Sequence, residues 1–131
     1  MRKKVVKVVI MPFETFQKYT MAIARGKYKP NKNEPKIWFE SIENCMQVLS
    51  TRNIDILKMI EKEKPASIDE LSKISGRNKG NLSRTLKTFY RHRIIDFIEE
   101  DRRKKPIALA TQFDIQLGRN IPEWVSNPIV S

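Results

Sequence analysis

Six basic residues and no acid lie between Gly76 and Arg93, within the stretch "SIDELSKISGRNKGNLSRTLKTFYRHRII", residues 67–95. They are Arg77, Lys79, Arg84, Lys87, Arg91 and Arg93. A solvated helix face ordinarily mixes the two signs, and a one-signed face suits a partner of opposite charge. The chemistry open to these residue types is the binding of a polyanion. A guanidinium grips a phosphate or pairs in two-pronged fashion with a guanine edge, while an ammonium acts as a point charge. A second basic cluster, "DRRKK" at 101–105, follows downstream.

Residue sets for bond-making chemistry are missing by comparison. His92 is the only histidine and Cys45 the only cysteine, so no two-histidine metal site, cysteine zinc site or intramolecular disulfide can form. Cys45 reads as a small buried hydrophobe and His92 as a helix-end residue, since no nucleophile motif stands beside either. The four glycines form no phosphate-loop or dinucleotide pattern. The acids at 99–101 are strand-end neighbours, a poor metal cage. The expectation is a non-enzyme with no metal and no cofactor.

The formal net charge of +11 over 131 residues points the same way, to nucleic acid before membrane. No apolar run approaches the roughly 20 residues that span a bilayer. The opening "MRKKVVKVVIM" lacks the length and cleavage site of a signal peptide, so a cytoplasmic location is expected.

The elements that must position the basic residues follow from periodicity and punctuation. "KKVVKVVIM" reads as a strand and "PFETFQKYTMAIARG" as a helix ending near Gly26, together an N-terminal strand-helix arm over 1–26. Residues 27–36, rich in lysine and proline, read as a basic linker. "IWFES" can be a short strand. Ser41 then caps a helix with Ile42, Cys45, Met46 and Leu49 on one apolar face. A further helix starts at Thr51, with Ile54, Leu57 and Ile60 aligned, and stops at Pro65. Ser67 and Glu70 fit a capping box opening a short helix that carries Ile68, Leu71 and Ile74 and ends near Gly76. A longer helix from about Asn78 to Arg93 turns Leu82, Leu86 and Phe89 inward. "IIDFIEEDRRKKPIALA" reads as a β-hairpin with its turn over Glu100–Lys105, and "FDIQL" as one more strand. Residues 118–131 form a tail with Trp124 and two prolines.

Helix, short helix, turn, longer helix and basic hairpin is the order of a winged helix-turn-helix. The expected fold class is therefore α+β: a winged helix-turn-helix over 37–117 with the N-terminal strand-helix arm and the C-terminal tail. The outer face of the long helix offers Asn78, Lys79, Gly80, Ser83, Arg84 and Lys87, flanked by Asn81 and Thr85. Arg84 is the candidate base reader, and Lys79 and Lys87 are phosphate contacts. Arg77 is expected to clamp the backbone from the turn. Gly80 is expected to let the helix N-terminus approach a phosphate. Arg102, Arg103, Lys104 and Lys105 are expected at the hairpin tip, where Arg suits a minor groove. Val5, Val6, Val8, Val9, Ile10, Phe13 and Phe16 are candidates either for a dimer surface or for the chain's own core. Trp38, Phe39 and Trp124 can join either.

The stretch "SIENCMQVLSTRNIDILKMIEKEKPASIDELSKISGRNKGNLSRTLKTFYRHRIIDF" resembles MarR-like winged-helix regulators. More narrowly, it is similar to prokaryotic regulators encoded beside a small toxin, as in TumE–TumA-type toxin–antitoxin pairs. The resemblance rests on the "FES…LS" helix, R-N-x-x-I-L, P-x-S-I-x-E-L, G-R-N…N-L-S-R-T-L and R-R-K-K-P, and it covers residues 37–117. It implies a homodimer on a palindromic operator of double-stranded DNA, the regulator acting as repressor of its own promoter and as antitoxin to a small toxin protein. A module that chiefly masks a toxin, and a non-specific nucleic-acid binder, are the alternative uses of such a fold.

Overall fold

Local signals set the helix boundaries. A computed structural model describes residues 4–29 and 36–117. In chain order the elements are β1 (Val5–Ile10), α1 (Phe13–Ala24), β2 (Ile37–Phe39), α2 (Ile42–Val48), α3 (Thr51–Glu63), α4 (Ile68–Ser75), α5 (Lys79–Arg91), β3 (Ile95–Glu100), β4 (Arg103–Ala108) and β5 (Gln112–Leu117). The fold is α+β. The hydroxyls of Ser41 and Ser50 accept from Asn44 N and Asn53 N and open α2 and α3. Lys64, left-handed at φ 48°, closes α3 ahead of Pro65. Ser67 Oγ accepts from Glu70 N at 3.2 Å, and Glu70 Oε2 accepts from Ala66 N at 2.9 Å, a capping box displaced by one residue on its return arm. Gly76 at φ 75° ends α4, a backbone state that glycine adopts without steric cost.

The described residues divide into two compact units. In one, Lys4 and Val5 join Met46–Gln112. There α3 packs on β4, α4 on α5, and α5 on β3. Leu57, Leu71, Leu82, Leu86, Phe89 and Ile94 are fully buried. Lys4 Nζ ties the start of the chain to this unit through Glu61 Oε2 at 2.7 Å and the Ala108 carbonyl at 2.8 Å.

The other unit takes Val6–Cys45 and the residues from Phe113. Its sheet has the order β2-β1-β5. β1 and β2 run parallel, pairing Val8 with Ile37, Val9 with Trp38 and Ile10 with Phe39. Parallel neighbours need a crossover, and α1 supplies it. The units therefore do not follow the sequence boundary at residue 37, because β2 and β5 pair with the N-terminal strand rather than with the hairpin. Apolar faces differ from expectation as well. Ile42, Met46 and Ile74 are exposed, and Cys45, Val48, Leu49 and Leu71 carry the burial. On α1 the buried residue is Ala22, whereas Phe13 and Met21 are about half exposed.

The candidate dimer residues split. Val8 and Val9 are buried in the chain itself, which is the core alternative. Val6, Ile10 and Phe16 are half-buried. Phe16 stacks on Trp38 at 4.1 Å between ring centroids, with Phe13 tilted against the same ring at 6.3 Å. Trp38 Nε1 donates to the Met11 carbonyl, so this tryptophan is anchored within its unit, where Phe39 is fully buried. The tail with Trp124 lies outside the described residues.

Candidate nucleic-acid interface

α5 forms where the sequence stops supplying acids and an asparagine caps the first turn. Asn78 Oδ1 accepts from Gly80 N at 2.8 Å and Asn81 N at 3.2 Å. Leu82, Leu86 and Phe89 bury one stripe, which leaves Lys79, Arg84, Lys87 and Arg91 exposed on the remaining faces. Ser83 is half-buried between them. At the far end His92 is the C-cap, Arg93 takes φ 60°, and Ile94 N returns to the Phe89 carbonyl at 2.8 Å. This return bond aims the chain directly into β3.

The hairpin is four residues shorter at its turn than the sequence suggests. β3 and β4 pair from Ile95 with Ala108 to Glu100 with Arg103, so Asp101 and Arg102 alone make the loop. Both have positive φ, 53° and 65°, as a tight hairpin turn of the right-handed twist requires. The four basic residues are therefore not gathered at a tip. Arg102 stands in the turn, and the others alternate along β4 because strand side chains alternate faces. Lys104 shares its face with Phe97 and Pro106, and Arg103 and Lys105 share the opposite one.

Between α5 and the hairpin runs an open groove of about 910 Å³. Its floor is apolar: Ile68 at the start of α4, with Tyr90 and Phe97, whose rings lie 5.6 Å apart. Its polar lining is Ser83 and Thr88 with four exposed cations, Arg84, Lys87 and Arg91 from α5 and Lys104 from β4. Among the described residues no carboxylate lines it.

Other basic residues are partly spoken for. Lys79 Nζ lies 2.6 Å from Asp69 Oδ1, and this hydrogen-bonded ammonium holds the Asp69 carboxyl below its ordinary range. Lys105 Nζ lies 3.7 Å from Glu100. The Lys79–Asp69 pair is largely solvated, and Lys105 meets a carboxylate more than half exposed; such pairs contribute little to stability. They do place a neutralising group beside each cation.

Two expectations for the turn and first helical residues are corrected by geometry. The Gly80 and Asn81 N–H groups are both taken by the Asn78 cap, so they do not point free towards a phosphate. What Gly80 gives instead is room for that cap: a Cβ there would lie 3.1 Å from Asn78 Oδ1. Arg77 does not project from the turn as a clamp. It is 9% exposed, and its guanidinium donates to Asn53 Oδ1 at 3.1 Å, Asn81 Oδ1 at 2.6 Å and Thr85 Oγ1 at 3.0 Å. Burial, with the Arg52 charge adding to it, draws its pKa below the ordinary guanidinium value. The signal for this was present in the sequence. Arg77, Asn81 and Thr85 recur at intervals of four, a polar stripe beside the apolar one.

Cys45 is fully buried and burial pushes its thiol pKa up, the opposite of a reactive cysteine. Among the described residues no group of three or more His, Cys, Asp or Glu side chains is placed to hold a metal ion. No helix among them is long and apolar enough to cross a membrane.

No curated protein and no solved structure matches the chain. The family model HVO_A0114 matches residues 48–115, just over half of the chain. That span runs from the end of α2 into β5 and contains every residue of the groove and the hairpin. The chain thus belongs to the HVO_A0114 family.

Proposed function

We propose that residues 46–112 act as a winged helix-turn-helix that binds double-stranded DNA, with α5 as recognition helix and the β3–β4 hairpin as wing. The groove between them carries the reading. A helix seated in a major groove and a hairpin reaching the adjoining minor groove have one sugar-phosphate strand between them. Four exposed cations over an apolar floor, with no ion pair or carboxylate among the described residues, match that strand in charge and in chemistry. Arg84, exposed at the middle of α5, is the base reader, while Lys87, Arg91 and Lys104 follow phosphates.

Together with the resemblance to MarR-like regulators, this makes the chain a sequence-specific transcriptional regulator. A single helix makes few base contacts, and a homodimer on two half-sites of a palindromic operator about 34–36 Å apart doubles them. The resemblance extends the proposal to repression of its own promoter, to a small toxin as protein partner, and to work in the cytoplasm without cofactor or catalysis.

The test is a fluorescence-anisotropy titration of the full chain on the DNA upstream of its gene and on a scrambled duplex of equal length, at two salt concentrations. The expected result is a preference for the upstream duplex that survives the higher salt. Arg84→Ala should cost roughly 1–3 kcal/mol on that duplex. Lys104→Ala should weaken both duplexes alike. Equal losses for the two variants on both duplexes would dismiss Arg84 as the reader. Binding that ignores sequence and vanishes with salt would leave only a general electrostatic surface.

A further inference from the structure

A second recess lies on the flank of α5 that faces the start of α3, and it shares Arg84 and Thr88 with the groove. It measures about 190 Å³ and is lined by Asn53, Asn81, Arg84 and Thr85 among others, with no carboxylate among the described residues. Three of these four side chains are the partners of the buried Arg77. The guanidinium thus sits behind the recess and organises its wall.

Its chemistry decides which way the wall faces. A guanidinium has donors only, so the atoms turned to it must be acceptors. That fixes Asn81 with Oδ1 inward and its NH₂ outward. It likewise takes one lone pair of the Thr85 oxygen and leaves the hydroxyl proton to donate elsewhere. Asn53 differs, since its own NH₂ is bound by the Gln47 and Val48 carbonyls at 3.4 and 3.1 Å. Asn81 Nδ2 and the Thr85 hydroxyl have no acceptor among the described residues. These two donors thus face a recess that Arg84, Gln47 and Thr88 also line.

Charge selects the acceptor. Arg77 is nine-tenths buried, its three partners are neutral, and its Nε has no hydrogen-bond partner among the described residues. A buried cation without a counter-charge is an unfavourable arrangement that an anion would relieve. A guanine edge offers acceptors but no charge, whereas a phosphate offers both. Resting on the duplex-binding reading above, we infer that Arg77 is a positioning residue that fixes Asn81 and Thr85 as donors, so that the recess between α3 and α5 takes a backbone phosphate of the bound DNA. The duplex is then held on both flanks of α5, by the groove on one side and by this recess on the other.

The experiment is a titration of ¹⁵N-labelled full chain with a random-sequence duplex, following the Asn81 side-chain amide pair, alongside affinities of three variants. Asn81→Asp keeps an acceptor for Arg77, and so keeps the fold, but replaces the outward donor by a charge that repels phosphate. It should lose roughly tenfold or more in affinity on random and upstream DNA alike. Thr85→Val should lose several-fold with its thermal unfolding little changed. In the wild type the Asn81 amide pair should shift on binding. In Arg77→Lys, which cannot reach both acceptors as a fork, that shift should disappear while the backbone spectrum stays folded. If the wild type binds DNA while its Asn81 amide is unmoved, or if Asn81→Asp binds as well as the wild type, the recess is empty in the complex and only the groove reading stands. Failure of the wild type to bind any duplex would overturn both.

Discussion

Gly80 shows how a single residue can look like a ligand contact and serve a neighbour instead. A glycine near a helix start invites the thought of a phosphate approaching bare backbone, but its N–H is already held by Asn78. Alanine normally exceeds glycine by about 1 kcal/mol inside a helix. Here the added Cβ would crowd the Asn78 oxygen at 3.1 Å, so Gly80→Ala should gain well under half of that. Asn78→Ala alone should cost about 1 kcal/mol, the usual value of a lost N-cap. In the Asn78→Ala background the obstacle is gone, and Gly80→Ala should then recover the full helix gain. Urea unfolding of the four proteins measures the cycle. Additive effects would mean that the cap does not feel position 80. Arg77 teaches the same lesson with larger stakes. A basic residue in a turn reads as exposed because turns are exposed. Only its spacing to Asn81 and Thr85 hinted that the guanidinium folds back over the helix it precedes.

At the scale of elements, what was legible followed from how local the cause is. Ser50, Ser67, Asn78 and Gly76 act within four residues of themselves, so the boundaries of α3, α4 and α5 could be read from neighbours in sequence. The inward residues of α5 were legible for the same reason. The sheet β2-β1-β5 was not, because its pairings join distant segments and nothing in "IWF" or "FDIQL" names a partner. The hairpin lies between these cases. Its strands were legible but its tip was drawn too wide, since polar strand ends resemble turn residues. The true loop, Asp101–Arg102, puts at its second position an arginine poorly suited to positive φ. Asn-Gly would serve such a turn better. Arg102→Gly should therefore stabilise the unit by up to about 1 kcal/mol, raising the thermal midpoint by a few degrees. If Arg102 touches DNA, the same substitution should weaken duplex binding although the fold is firmer. Calorimetry and anisotropy on one preparation separate the two effects. A gain in stability with unchanged binding would remove Arg102 from the interface and leave Lys104 as the contact of the hairpin.

For the molecule as a whole, net charge and local pairing make different contributions, and salt distinguishes them. A charge of +11 attracts any polyanion, but at physiological ionic strength that field is screened beyond about 8 Å. What survives is the number of cations that displace counterions at the contact. The groove supplies three that follow phosphates, Lys87, Arg91 and Lys104, with no carboxylate beside them among the described residues. The slope of log K against log salt should then be roughly −3 for each bound protomer, more negative if the hairpin turn adds Arg102. Lys87→Ala and Lys104→Ala should each flatten the slope by about 1. Lys79→Ala should flatten it less, although this residue stands on the same helix. Its ammonium must first leave Asp69, now 2.6 Å away, and the freed carboxylate then repels the phosphate it was meant to meet. Asp69→Asn removes that restraint, so it should strengthen binding and steepen the slope, making Lys79 equivalent to Lys87. Anisotropy titrations of these variants across a salt series give the slopes directly. If Lys79→Ala flattens the slope as much as Lys87→Ala while Asp69→Asn changes nothing, the Asp69–Lys79 pair does not hold its lysine back. The one-signed run from Arg77 to Arg93 would then act as a single surface rather than as the divided one described by the geometry.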